Sequence, residues 1–347
     1  MKLGMIGTGR IAKRALREIS FVPDIEEMFI YNPHGKSARQ FAESYGLSHW
    51  TDSLSELTSK TEAVYIASPH ETHYEYARYF LSAGKHVLCE KPMTLSGKQA
   101  EELYHLADEK RLVLMEALKT AWCPGFQEIE RTATSGIIGE IREVDATFTR
   151  LTPTNTRECQ DLQYGGSFTE FGSYVLLPIL HLLGTGYTAA EFHSVPAANG
   201  LDSYTKLFLR YQNQCGVDVA YAEAKTGLSV KSEGQLLISG TKGYILVPSP
   251  WWQTRYFEVR FENPNHVEKH YCEFEGDGLR YEFQHFVKQV QYREKEGQKP
   301  AQEIGCMGFE KERKIRKETI ARADLINKFL LDTGRNLSPF TLAERSG

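Results

Sequence analysis

The stretch Lys2–Ala12, KLGMIGTGRIA, decides how the rest of the chain reads. Leu3 to Ile6 is a short apolar run of the kind buried in a parallel sheet, and Gly7 to Ala12 follows with the spacing G-x-G-x-x-A. In a strand-to-helix turn of this form Gly7 permits the tight bend. Gly9 leaves bare backbone for a close approach, and small Ala12 lets the helix lie against the strand. The helix then opens with unpaired N–H groups and a partial positive charge, which suits a pyrophosphate. Gly7, Thr8, Gly9, Arg10 and Ile11 are the first candidate cofactor-binding residues. The motif alone is weak, because a glycine turn can serve packing only. Its place at the head of a βαβ series favours the nucleotide.

Working outward, apolar runs recur at Met28 to Tyr31, Ala63 to Ala67, His86 to Cys89 and Leu112 to Met115, separated by helical periodicity. His73, Ala77, Phe80 and Leu81 fall on one helix face, which Gly84 ends. Beyond Trp122 the pattern turns to alternation. Val217, Val219 and Tyr221 are set against Asp218, and Phe257, Val259 and Phe261 against Glu258 and Arg260; each set is expected to face a core. Phe171 to Leu183 is apolar nearly all round and predicts a buried helix. Leu279, Phe283, Phe286, Val287 and Val290 form one stripe, and a last helix with Ala323, Ile326 and Leu330 should stop near Gly334. The expected fold is an α/β Rossmann domain, residues 1–118, followed by an α+β domain, residues 119–347, with an open-faced, mainly antiparallel sheet.

Composition narrows the function. Formal net charge is -4 at pH 7, so nothing draws the chain to phosphate backbones or anionic membranes, and no nucleic-acid partner is expected. Six cysteines lie scattered without a CxxC pair, which predicts neither a zinc site nor a disulfide framework, and no metal ligand set is written. The chain enters a strand pattern at once, and no run approaches the roughly 20 apolar residues of a membrane span. A cytoplasmic protein is expected.

At the end of the second strand, where a carboxylate would bind the ribose hydroxyl of NAD, stand Tyr31 and Asn32, followed by His34 and Lys36. With no acid to repel a 2′-phosphate and the cations Arg10, His34, Lys36 and Arg39 within reach, NADP is favoured over NAD. Asn32 bonding the ribose of NAD is the alternative.

Three further motifs carry a resemblance. SPHETH runs from Ser68 to His73, GKHVLCEKP from Gly84 to Pro92, and GGSFTEFGSY from Gly165 to Tyr174. With GTGRIA and in this order they resemble the glucose-fructose oxidoreductase/inositol dehydrogenase family. Within it the dihydrodiol dehydrogenase-like subgroup is the nearest match, to which LMEALKTAWCPGF at Leu114 to Phe126 also points. The resemblance implies an NAD(P)-dependent dehydrogenase or reductase acting on CH–OH groups of a sugar, polyol or vicinal diol. It places Ser68, His73, Glu90 and Lys91 near the cofactor, with His70 a further candidate contact. Lys91, at the carboxyl end of a parallel strand, would assist catalysis. Tyr174 stands where much of the family has histidine and would serve as acid/base. Glu170 replaces the family's aspartate, so its role there does not carry over. Trp122, Phe126, Arg157 and Tyr164 are candidates for the substrate wall, with core packing an equal reading for Trp122 and Phe126. A homodimer is implied by the family. A non-catalytic cofactor-binding regulator and an NAD-dependent glycosidase are the rival functions, and intact Lys91 and Tyr174 argue against the regulator.

Overall fold

A computed structural model describes residues 1–296, 307–335, 337 and 340–342. Cys306, among the cysteines above, lies outside them. The chain forms two compact units. The first holds residues 1–119 with the described parts of 276–319 and 338–347, and the second holds 120–275 with those of 320–337.

The first unit contains β1 (Lys2–Ile6), α1 (Arg10–Ile19), β2 (Glu27–Tyr31), α2 (Gly35–Ser44), β3 (His49–Thr51), α3 (Leu54–Lys60), β4 (Ala63–Ile66), α4 (His73–Ser82), β5 (His86–Glu90), α5 (Gly97–Lys110) and β6 (Leu114–Ala117). Its six strands are all parallel, in the order β3-β2-β1-β4-β5-β6. That is the doubly wound order, which reverses between β1 and β4, where a ligand crevice opens outside the strand ends. Every residue of β4 and β5 is buried, as expected of strands covered on both faces. The face His73, Ala77, Phe80, Leu81 is wholly buried, and Gly84 ends it at φ +76°.

The second unit contains α6 (Pro124–Thr134), β7 (Ile141–Thr149), α7 (Arg157–Gln160), α8 (Ser167–Leu183), β8 (Ala189–Pro196), β9 (Asp202–Gln212), β10 (Asp218–Gly227), β11 (Leu236–Gly240), β12 (Gly243–Val247), β13 (Tyr256–Phe261) and β14 (Val267–Tyr271). Its eight strands run β14-β13-β12-β11-β7-β10-β9-β8, antiparallel except for the parallel pair β7 and β10. Phe257 and Val259 face the core as expected. On β10 the expected face is reversed: Val217 and Tyr221 are 58% and 51% exposed, while Ala220, Ala222 and Ala224 are buried. The helix α8 lies on this part of the sheet, and small side chains let it approach closely. The larger residues therefore point outward, against the simple rule of apolar residues inside.

Two helices follow, α9 (Leu279–Glu296) and α10 (Met307–Asp332). The stripe Leu279, Phe283, Phe286, Val287, Val290 of α9 is buried in the first unit, where Phe283 meets the Tyr65 ring edge-on at 4.9 Å. Arg280 binds Glu18 of α1 through Nε and Nη2 at 3.0 and 3.1 Å. Among the described residues no helix is long and apolar enough to cross a membrane.

Candidate active site

In the first unit the glycine turn is built from converging strand ends. The Gly7 N–H donates to Tyr31 O at 2.9 Å, and its φ is +106°; a Cβ there would lie 2.6 Å from Ala67 O. Only glycine fits. Gly9 differs, because a Cβ on it would meet no atom within 4 Å. It is the N-cap of α1, and no side chain caps that helix. The turn therefore leaves room at Gly9 next to the start of the helix, an arrangement suited to a phosphate. Thr8 is tied across to the second strand, since Asn32 Nδ2 donates to Thr8 Oγ1 at 2.9 Å and Asn32 Oδ1 accepts from the His34 N–H at 2.9 Å. Asn32 thus braces the turn from the place where an acid was expected. His34 and Lys36 are exposed beside it, and Arg39 is paired with Glu43 at 2.7 Å.

The SPHETH and EKP segments are joined through His73. Its ring is fully buried, with Nδ1 2.9 Å from Pro92 O and Nε2 2.9 Å from Ser68 O. Burial lowers its pKa, opposed by the two carbonyl contacts. Ser68 Oγ shares a hydrogen bond with Thr72 Oγ1 at 2.6 Å, and the His70 ring meets that of His73 edge-on at 5.7 Å. The candidates Ser68, His70, His73, Glu90 and Lys91 are therefore one connected group at the ends of β4 and β5.

Lys91 follows β5 and is 9% exposed. Behind it Glu90 accepts a hydrogen bond from Tyr65 Oη at 2.5 Å and one from the Lys91 N–H at 3.3 Å. Burial raises the pKa of Glu90 although Tyr65 and Lys91 pull it down. Glu282 on α9 is wholly buried, and neither carboxyl oxygen has a hydrogen-bond partner. Burial first, and the nearby Glu90 next, raise its pKa well above the usual carboxylate value. Glu282, which the sequence reading passed over, sits on an ordinary-looking helical stripe and gives no local signal.

In the second unit the candidates Tyr164, Glu170 and Tyr174 lie at or just before the first two turns of α8. From Ser167 to Leu180 every residue is buried except Glu170 and Tyr174, one turn apart. An otherwise enclosed helix thus opens at two polar positions on one face. The Tyr174 ring lies 4.9 Å from that of Phe148, which stacks on Phe171 at 4.5 Å and on Trp252 at 3.8 Å. This aromatic group packs against the ring, and Tyr174 as a whole is half-buried. Tyr164 is half-buried just before the helix, with its N–H donating to Asp161 Oδ1 at 2.9 Å. Arg157 is exposed on α7 and paired with Asp161 at 3.3 Å. Trp122 is 8% exposed, whereas Phe126 is 3% exposed with its ring 6.5 Å from Trp251 and 6.1 Å from His181, which gives Phe126 a packing role in this unit. His181 pairs with Glu130 of α6 at 2.7 Å.

Comparison with known proteins gives this geometry a family. Residues 1–118 match the model of an oxidoreductase family with an NAD-binding Rossmann fold, and relatives match most of the chain. That match agrees with the resemblance to the glucose-fructose oxidoreductase/inositol dehydrogenase family carried by the sequence motifs. It is an NAD(P)-dependent oxidoreductase. It is 28% identical over 277 residues to scyllo-inositol 2-dehydrogenase (NADP(+)) of Bacillus subtilis, covering 76% of this chain and 82% of that protein. To trans-1,2-dihydrobenzene-1,2-diol dehydrogenase of Xenopus laevis it is 25% identical over 299 residues, covering 82% and 87%. The crystal structure of a 3-ketoreductase from Actinomadura kijaniata, in complex with NADP and TDP-benzene, superimposes with a TM-score of 0.75 at 23% identity, covering 94% of this chain and 96% of that one. The fold is shared with that reductase.

Proposed function

We propose that this oxidoreductase interconverts a secondary alcohol and a ketone on a sugar, polyol or vicinal diol, with Tyr174 as acid/base and Lys91 assisting. The observation that carries the reading is the opening of α8 at Glu170 and Tyr174 within its buried stretch Ser167 to Leu180, with the Tyr174 ring against that of Phe148. The relatives named as an inositol dehydrogenase and a dihydrobenzenediol dehydrogenase support the substrate class.

The nicotinamide supplies or accepts the hydride. The rest falls to the chain's own residues. In reduction the Tyr174 phenol gives its proton to the substrate oxygen, and in oxidation the phenolate takes it back. The Lys91 ammonium stabilises negative charge developing on that oxygen. Gly9 and the first turn of α1 hold the pyrophosphate, and Asn32 fixes Thr8 beside it. Glu90, engaged by Tyr65, sets the strand end from which Lys91 projects. Trp122, Tyr164 and Arg157 line the substrate side, with Glu170 a polar contact rather than a proton donor.

NADP is the preferred cofactor, because Asn32 offers no charge against a 2′-phosphate while His34 and Lys36 are exposed nearby. The outward sheet face with Phe208 and Tyr221 exposed supports a homodimer, and a cytoplasmic setting is part of the same proposal. The test is an assay of inositols, sugars and vicinal diols, and of their ketones, with NADP(H) and NAD(H). Turnover of at least one polyol or diol class with higher kcat/KM for NADP(H) is expected. Turnover confined to other carbonyl classes would overturn the substrate reading, and a clear NAD preference the cofactor reading.

A further inference from the structure

The helix that carries Tyr174 begins without a cap of its own. Gly166 is its N-cap and has no side chain to offer the first-turn N–H groups, and its φ is +100°. The missing acceptor comes from another strand. Asp202, the first residue of β9, is 4% exposed, and its Oδ2 accepts from the Phe168 N–H at 2.8 Å, from Ser167 Oγ at 2.8 Å and from Thr205 Oγ1 at 3.0 Å. Thr226 Oγ1 of β10 joins the group, 3.0 Å from Ser167 Oγ. A carboxylate at this place satisfies orphan donors and meets the positive end of the helix dipole.

The other oxygen of Asp202 is held from the far end of the chain. Past α10, Gly334 adopts φ +74°, its N–H donates to Leu331 O at 2.9 Å, and the Arg335 N–H donates to Leu330 O at 2.8 Å. Those two bonds are a Schellman stop, which turns the chain back and directs the Arg335 side chain. Its Nη2 donates to Asp202 Oδ1 at 3.0 Å, its Nη1 to Gly165 O at 2.6 Å and its Nε to Thr333 Oγ1 at 3.2 Å. The guanidinium also lies 5.2 Å from the centre of the Phe329 ring. The side chains of Arg335 and Asp202 are 10% and 2% exposed. Gly166 is dictated by this approach, since a Cβ on it would lie 2.0 Å from Asp202 Oδ1, while Gly165 is required by the preceding backbone, its Cβ falling 2.5 Å from Asp161 O.

We propose that Asp202 and Arg335 are positioning residues for the reaction: together they clamp the first turn of α8 and so set where Glu170 and Tyr174 present their polar ends. The proposal rests on the reading of Tyr174 as acid/base. A rigid two-point clamp of this kind uses what arginine has and lysine lacks, a planar fork that bonds a carboxylate and a carbonyl at once. Its effect on chemistry would come through distance, since a displacement of about 1 Å at a catalytic group can lower turnover by about 10²-fold.

The experiment compares Arg335→Ala, Arg335→Lys, Asp202→Asn and Tyr174→Phe by steady-state kinetics, NADPH titration and amide hydrogen exchange. For Arg335→Ala, kcat should fall by about 10²-fold with NADPH affinity within about twofold of the parent protein, and millimolar guanidinium should restore part of the loss. Exchange of the 166–171 amides should accelerate in both Arg335 variants and in Asp202→Asn. Unchanged kcat in folded Arg335→Ala, or unchanged exchange at 166–171, overturns the clamp. If Arg335→Ala does not fold, Arg335→Lys and Asp202→Asn decide by the same two measurements. Retained turnover in Tyr174→Phe would remove the acid/base reading, and the exchange data would then decide the clamp separately.

Discussion

Two glycine turns in this chain deliver a strand or loop into a helix, and they end in opposite states. At Gly7–Gly9 the helix α1 has no side-chain cap, and a Cβ on Gly9 would meet no atom within 4 Å. At Gly165–Gly166 the same kind of helix start is filled by the Asp202 carboxylate, backed by Arg335. A helix N-terminus attracts negative charge in either case. Where the fold leaves the charge out, the turn is a receptor for an anion. Where the fold supplies it, the turn is a structural joint, and the residues proposed to meet the substrate, Glu170 and Tyr174, stand one and two turns along the helix.

The contrast breaks most sharply through single methyl groups. Gly166→Ala should give no folded second unit, because its Cβ would fall 2.0 Å from Asp202 Oδ1 at a φ of +100°. Circular dichroism and expression in soluble form would show it; a folded, normally stable variant would mean that the clamp yields. The first unit carries a different sensitivity, to acid. His86 is 8% exposed, its Nδ1 accepts from the Val113 N–H at 2.9 Å, and burial, with Arg293 adding, pushes its pKa down to about 4. An unfolded histidine titrates near 6.5, so between about pH 6.5 and 4 the unfolded chain binds a proton that the folded one refuses, and stability falls as pH falls. The loss should reach about 3 kcal/mol at the acid end. In His86→Gln, denaturant melts across this range should show a shallower pH dependence; an unchanged slope would contradict the assignment.

Gly9→Val tests the open turn itself. Its side chain meets no protein atom within 4 Å at the Cβ, so the melting temperature should stay near that of the parent. NADPH affinity should drop by about 10²-fold or more, because the branched group occupies the phosphate seat. Equal affinity would take Gly9 out of the site, and a collapse of stability would make this turn resemble the other.

What the sequence disclosed follows the range over which each feature is written. Gly7 to Ala12, the α4 face and the α9 stripe are local patterns, and each lies where its periodicity put it. The strand β3, three residues with two exposed, has no apolar run to read. On β10 the alternation was visible, but its buried side is the alanine side, which hydrophobicity alone misassigns. The site was legible where motifs are contiguous, in GTGRIA, SPHETH, EKP and the α8 segment. The Asp202–Arg335 clamp joins residues 133 positions apart, and Glu18 and Arg280 are 262 apart; such pairs leave no mark on a single sequence. For the same reason α9 reads as a helix while its membership of the first unit does not.

The central claim is that Tyr174 moves the proton and Lys91 supports the same step. Once a substrate is found, turnover of Tyr174→Phe, Lys91→Met and the double variant tests it most directly. Each single variant should lose about 10²–10⁴-fold in kcat with NADPH affinity nearly unchanged, and the double variant should be little worse than the worse single, because groups serving one step do not add. Near-parental turnover in Tyr174→Phe, or losses that multiply in the double variant, would contradict the account.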